Sequence, residues 1–378
     1  MRLDAVRGMF LAIMAGVHVP SPLSHYLQEP FGFTSAAEGF IFLSACLAGM
    51  VYGKTYLKSG WAEMSRRVWN RAKLVYIVHL AVLLPVALIA WLYARQVAPL
   101  ANHFHDFLLH PVESLLLIPL LLHQAPLFDI LPLYVVLLLA TPLAFVTARR
   151  HGWGIVLSVS FLGWLAAQFP ATHFAEDAFL PVRGGSFNVL AWQFLWFGGV
   201  ALGETSLRGE IISQKFRSFF FTVAGLVVLV GLGARHGVLP GVTLNDEAYL
   251  WMDKWTLGPL RVLNFAAWVV FLIAWNPRPP AWLMEQTALW GRHSLAVFAV
   301  HLPLVVCAAS VIQMFPMTDV EKTFLGLSVI AAISLWVAWL EHNAAFRKNL
   351  PGLAARPWLQ RLLHREIIPT APAKPFAR

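Results

Sequence analysis

Residues 128–148 read FDILPLYVVLLLATPLAFVTA and are followed at once by Arg149 and Arg150. One charge, Asp129, stands at the start of these 21 residues. Wound as a helix at ~1.5 Å per residue, such a stretch is ~30 Å long, the thickness of a bilayer's hydrocarbon core. A large soluble core could also hold a helix of this kind, but the rest of the chain argues against one. Its 378 residues are 58% hydrophobic and 12% charged, with a mean hydropathy of +0.66, whereas about a quarter of a soluble domain is charged. The fold class that follows is all-α: a polytopic integral membrane bundle.

Nine further apolar segments, bordered by Pro, Gly and charge, extend outward from this one: 4–20, 36–53, 73–95, 152–169, 188–205, 216–235, 256–275, 292–314 and 322–342. Ten spans result. The Leu-rich segment 107–122 is excluded, because His110, Pro111, Glu113 and Pro119 interrupt it and His123 follows it; it reads as interfacial or re-entrant. At ~20 residues per span the spans fill the chain. This leaves one membrane domain over 1–345 and a basic cytoplasmic tail over 346–378, in which Trp358–His364 is expected as a short surface helix. The N-terminal segment, without a small-residue cleavage site, is read as a retained first span.

Lys and Arg gather in alternate loops. Lys54, Lys58, Arg66, Arg67, Arg71 and Lys73 follow the second span, Arg149 and Arg150 the fourth, and Arg208, Lys215 and Arg217 the sixth. Arg347, Lys348, Arg356, Arg361, Arg365, Lys374 and Arg378 follow the tenth. The loops between hold scattered cations (Arg95, Arg183, Lys254) and the acidic pairs Glu176–Asp177 and Asp246–Glu247. Cytoplasmic loops carry the excess of Lys and Arg, so both termini are expected in the cytoplasm. The net charge of +9 is thereby assigned to topology and anionic lipid, not to nucleic acid. Cys46 and Cys307 lie in apolar stretches and provide neither a disulfide framework nor metal-ligand spacing.

The first span carries the candidate chemistry. His18 stands eleven positions after Arg7; at ~100° per residue both fall on one helix face, about 16 Å apart along the axis. Asp4 lies on the same stripe and can pair with Arg7. Two groups so far apart do not share one small reaction centre. They fit the two ends of an elongated donor, with phosphates at the arginine and the reactive group at the histidine, as in acyl coenzyme A. The alternatives are a topological anchor for Arg7 and a packing histidine for His18, although ionisable groups inside a membrane are candidates for function.

Arg2-Leu3-Asp4 and Arg7-Gly8 with His18 resemble the first helix of the membrane acyltransferase family 3, whose hallmark is an Arg and a His separated by ten residues. Further segments resemble its OpgC branch, the osmoregulated periplasmic glucan succinyltransferases. These are 31–38 with Phe40–Ser44, Gln124–Tyr134, Phe187-Asn188 with Ala191-Trp192-Gln193, Asp253-Lys254 with Pro259-Leu260-Arg261, and Gly291–Leu295. The resemblance runs in order across about residues 2–305. It departs at Ala45, where glycine is expected, while His301 resembles a histidine of the broader family. It implies a ten-helix transferase of a bacterial inner membrane, moving an acyl group, typically succinyl, from cytoplasmic acyl coenzyme A to a hydroxyl of a periplasmic glucan.

Under that reading His18 is the general base, because histidine titrates near neutrality. Asp4 and Glu38 complete the catalytic candidates; Glu38, at a depth similar to His18, either orients it or serves as a helix N-terminal acid. Ser44 is an alternative nucleophile or a packing hydroxyl. Arg7, Arg67, Arg71 and Arg292 are candidates for the donor phosphates, which arginine forks suit. Asp129, Asn188, Trp192, Gln193, Asp253, Lys254 and Arg261 fall near helix ends on the outer side and are candidates for the acceptor; Trp192 fits an interfacial anchor as well, and Asp129 an N-cap. No metal and no permanently bound cofactor is expected: acyl coenzyme A is a co-substrate, and membrane lipid is the remaining partner. A transporter or flippase remains the alternative from another class, though no inverted repeat or paired broken helices are visible. An acyltransferase acting on another polysaccharide or a small molecule is the alternative within the enzymes.

Overall fold

The computed structural model describes residues 2–93, 97–169, 185–207, 214–239, 250–277 and 279–348, and these contain helices and no strands. The helices are α1 (Arg2–His18), α2 (Pro22–Leu27), α3 (Ala36–Tyr93), α4 (Ala98–His103), α5 (His105–Leu109), α6 (Pro111–Leu117), α7 (Ile130–His151) and α8 (Trp153–Ala166). They continue with α9 (Val189–Ser206), α10 (Gln214–Arg235), α11 (Pro259–Trp275), α12 (Ala281–Arg292), α13 (Ser294–Met314) and α14 (Asp319–Lys348). The tail beyond Lys348, with the helix expected at Trp358–His364, and the acidic pairs Glu176–Asp177 and Asp246–Glu247 lie outside the described residues.

Each of the ten expected spans falls on a helix, and five helices among the described residues are long and apolar enough to cross a membrane: Ala36–Tyr93, Ile130–His151, Ser218–Arg235, Ser294–Met314 and Asp319–Asn343. Trp153–Ala166 and Pro259–Trp275 are apolar but shorter. Leu162, Phe219, Leu229 and Leu335 all point outward and are exposed, as a lipid-facing surface requires.

Two elements differ from the sequence reading. Spans 36–53 and 73–95 are one helical run with no loop between them, turned at Gly60, whose φ of 76° and ψ of −178° suit glycine alone. The charges expected in a loop sit instead on helical turns, where Glu63 pairs with Arg66 and Arg67 at the i,i+3 and i,i+4 spacings that favour continued helix. The second difference is α12, a separate helix entered from Pro280 and closed at His293 before α13 begins.

α1 lies at the centre, packed on α12 and α3 and touching α13 and α14. Glycine makes the α1–α12 approach possible. A Cβ on Gly8 would overlap the Thr287 carbonyl, and one on Gly291 would overlap the Asp4 carbonyl, so the two backbones meet directly, as small residues allow in membrane bundles. The first arm of α3 meets α9 in the same way, Gly49 against Val200 and Gly203 against Cys46. The short helices α4–α6 cover one end: Phe104, Phe107, Ile118 and Phe128 form a second apolar cluster with Leu83, Leu302 and Val306. Segment 107–122 is thus a broken cap on that end, consistent with its exclusion from the spans.

Candidate active site

α1 ends at His18, and there its ring stacks on that of His301 from α13, with centroids 5.8 Å apart and planes 16° from parallel. His301 is buried, and Phe298, one turn earlier on α13, sets its ring edgewise against it at 5.2 Å. The Nδ1 of His18 and both ring nitrogens of His301 are enclosed without a hydrogen-bond partner among the described residues. An unmet buried polar atom costs about 1–3 kcal/mol, so three in one place mark a site shaped for a polar ligand.

A narrow cavity, lined by Phe40, Ser44, Arg71, Tyr134, Ser294 and Phe298, adjoins this pair through Phe298, the ring that meets His301. Phe40 and Phe298 are in edge contact at 5.1 Å in its wall. Arg7 stands near the start of α1. It donates to the Gly291 carbonyl, lies 3.7 Å from the Asp4 carboxylate, and keeps a buried Nε without a partner among the described residues. Arg71 and Tyr134 lie within electrostatic reach of it. Asp4 therefore belongs with Arg7, at the far end of α1 from His18. Arg67 stands on the exposed surface, donating to Glu63 at 2.7 Å. Arg292 donates to Glu341 at 3.0 Å, and His293 meets the other Glu341 oxygen at 2.7 Å. Of the four donor candidates, Arg71 alone lines the cavity.

At the His18 end, Arg261 is buried in an ion cluster. Its Nη1 donates to Glu38 at 2.6 Å, its Nη2 to Glu29, and its Nε to the Met252 carbonyl at 2.8 Å. Arg235 reaches the second Glu29 oxygen at 2.7 Å. Burial pulls the Glu29 carboxyl upward, but the guanidiniums of Arg261 and Arg235 outweigh it and hold the group below the usual carboxylate range. Glu38 has 0% of its surface exposed, and its other oxygen accepts from the Ser35 backbone N–H at 3.1 Å and from the Ser35 hydroxyl. With those contacts Glu38 anchors Arg261; it makes no hydrogen bond to His18 among the described residues.

Of the remaining acceptor candidates, Asp253 and Lys254 lie in the loop before α11 and Trp192 and Asn188 bond to it, whereas Gln193 and Asp129 bond elsewhere. Trp192, wholly buried, donates its indole N–H to the Trp255 carbonyl at 3.0 Å, and the Asn188 backbone N–H reaches the same oxygen at 3.2 Å. A buried ring whose N–H is already used shapes the loop and offers no face to a sugar. The Asn188 side chain caps α9 by accepting from the Ala191 N–H at 3.1 Å. Gln193 is spent on α8, accepting from the Ser160 hydroxyl at 2.5 Å and donating to the Ser160 carbonyl at 2.6 Å. Asp253 closes a turn onto Thr256, and Lys254 lies over the Trp255 ring, 4.9 Å from its centre. Asp129 stands at the N-cap position of α7 as expected, but its side chain makes no capping bond; its carboxylate accepts from the Ser186 N–H at 3.0 Å.

Sequence reasoning missed Glu29 and Arg235, which pair across more than 200 residues and carry no local signal. It also passed over Tyr134 in the cavity wall and His79, buried with both ring nitrogens without partners among the described residues. His301 and Ser294 were visible as polar groups on an apolar helix. Among the described residues no group of three His, Cys, Asp or Glu has the arrangement of a metal site.

The chain belongs to the OpgC family: the family model described as OpgC protein matches residues 1–345. Neither the curated proteins nor the solved structures give a match.

Proposed function

We propose that, as a member of this family, the chain is a glucan-modifying membrane O-acyltransferase that takes its acyl group, succinyl, from cytoplasmic acyl coenzyme A and delivers it to hydroxyls of a periplasmic glucan. The observation that carries the reading is the stacked His18–His301 pair, with His18 Nδ1 and both His301 nitrogens unpartnered among the described residues, joined through Phe298 to the cavity that Arg71 lines. Ten crossings of a bacterial inner membrane, counting both arms of α3, with both ends in the cytoplasm, fit the alternating Lys and Arg of the loops. Arg7 and Arg71 then face the cytoplasm and suit the donor's phosphates, with the acyl-bearing arm passing Ser44, Tyr134 and Ser294 toward the histidines.

The transfer needs one base and one attacking oxygen. His18 takes the proton of the acceptor hydroxyl as its oxygen attacks the thioester carbonyl; the carbon–sulfur bond breaks, and the thiolate leaves with that proton returned from His18. The new bond is the ester to the glucan. His301, stacked alongside, holds the His18 ring in place and lines the acceptor's approach. The Glu38–Arg261–Glu29 cluster fixes the surrounding backbone.

Mass spectrometry of periplasmic glucans from cells with and without the protein tests the assignment, since a mass gain of one succinyl group names donor and acceptor together. His18→Ala should abolish the gain while the protein stays folded and inserted. Near wild-type modification by that variant would refute the general-base role. Uptake into proteoliposomes without acyl coenzyme A would point to a transporter instead.

A further inference from the structure

A serine or threonine inside a helix has a ready partner in the carbonyl four residues back. Thr55, Thr141, Thr205, Thr287, Ser310 and Ser334 all donate to it. Ser44 does not. It is 3% exposed and lies within α3, four residues after Phe40, yet its hydroxyl makes no hydrogen bond among the described residues. The Ser294 hydroxyl, at the start of α13 in a residue 6% exposed, makes none there either. The hydroxyls of Ser65 and Ser114 also lack partners among the described residues, but they are enclosed; those of Ser44 and Ser294 open onto the cavity that their residues line. Tyr134 of α7 brings a third hydroxyl to the same wall, again with no hydrogen bond among the described residues. Its ring is held by Trp196, which meets it edge-on with centroids 5.0 Å apart and planes at 88°. Trp196 is itself wholly buried and donates to the Thr141 hydroxyl at 2.9 Å, which donates to the Leu137 carbonyl at 2.8 Å. The fold thus fixes the phenol and leaves its O–H unused.

We infer that Tyr134, Ser44 and Ser294 determine specificity for the arm of the donor by hydrogen-bonding its amide groups. The inference rests on the acyltransferase reading and says how the stretch between the donor's two ends is held. The rest of the wall narrows the guest. Val75, Ile130, Leu131 and Leu295 are apolar, so a chain of sugar hydroxyls would find too few partners there. A plain alkyl chain would suit those residues but leave the three hydroxyls unmet. An amide-bearing chain matches both. Each amide presents one N–H and one carbonyl, and a hydroxyl can accept from the first or donate to the second. Away from water an amide recovers its lost hydration only where such partners wait. A phenol already locked by Trp196 meets it at little cost in ordering. The hydroxyls left unpaired by an amide-free chain supply the asymmetry on which such selectivity depends.

The test titrates two ligands calorimetrically into the full chain in nanodiscs. One is coenzyme A; the other is an analogue in which each amide of the arm is replaced by two methylene groups. Tyr134→Phe keeps the ring against Trp196 and removes only the hydroxyl, and a triple variant adds Ser44→Ala and Ser294→Ala. Y134F should weaken coenzyme A binding about 3- to 10-fold and the triple variant about 10- to 100-fold, while the Kd of the analogue stays within about twofold of wild type. Equal losses for both ligands would overturn the inference, because a merely structural role weakens both alike. So would a coenzyme A affinity that neither variant moves. A wild type that does not bind coenzyme A at all would defeat the donor reading itself.

Discussion

Replacing Arg261 with methionine should destabilise the protein by about 3–5 kcal/mol, the cost of removing one partner from a buried ion pair. The magnitude follows from what Arg261→Met leaves behind. Arg261 is 3% exposed and Glu38 0%, so neither has water to replace the lost partner; Glu29, at 17%, keeps Arg235. Glu38 also keeps its two contacts from Ser35, which places the expectation at the lower end of that range. Methionine fills much of the arginine stem's volume, so the effect is electrostatic more than a cavity. Glu38→Gln in the same background should then recover over half of the loss, because the orphaned buried charge is gone. Thermal or denaturant unfolding of the purified protein in mild detergent measures all four members of the cycle. If R261M unfolds with the wild type, or if the two single costs simply add, the cluster is not a coupled buried unit and the reasoning fails.

Two further substitutions probe the other end of α1. Arg7→Ala should raise the KM for the acyl coenzyme A donor by about 10- to 100-fold, the worth of one charged hydrogen bond, with a smaller change in kcat; steady-state kinetics with an unchanged KM would remove Arg7 from the donor site. Gly8→Ala places a methyl group onto the Thr287 carbonyl, so α1 and α12 must part, at about 1–3 kcal/mol for overpacking. Its unfolding midpoint should drop below wild type, and an unaltered midpoint would show that the helices do not meet there.

Helix positions were legible because they depend on local apolar length and on Pro, Gly and charge at the borders. The ten expected segments land on helices for that reason. The turn at Gly60 was not, since Lys54, Lys58, Glu63, Arg66 and Arg67 look like a loop by composition, yet their spacing pairs charges along a helix. The site was legible in kind and not in contact. Arg7 and His18 announce themselves on one stripe, but which groups meet them depends on residues 284 and 283 positions away, Gly291 and His301. Trp192, Gln193 and Asn188 show the same limit from the other direction: their chemistry suits a sugar, and the fold uses it on Trp255, Ser160 and Ala191.

What makes the stripe on α1 a working distance is that both of its ends are attached to one continuous stretch of chain. Near its start, Gly8 lies against Thr287 and the Asp4 carbonyl against Gly291 at the end of α12, while Arg7 donates to the Gly291 carbonyl. At its end, His18 stacks on His301 of α13, and α12 and α13 are joined at His293, which Glu341 of α14 holds from outside. The separation between Arg7 and His18 is then set by the helical rise, ~1.5 Å per residue, and by two backbone contacts that tolerate no side chain. A donor of fixed length needs such a ruler, because an error of ~1 Å in placing the reacting carbonyl costs on the order of 100-fold in rate. A transporter, which must change the distance between its two sides to alternate access, would be hindered by the same attachment, and this favours chemistry over passage as the use of the polar line through the bundle.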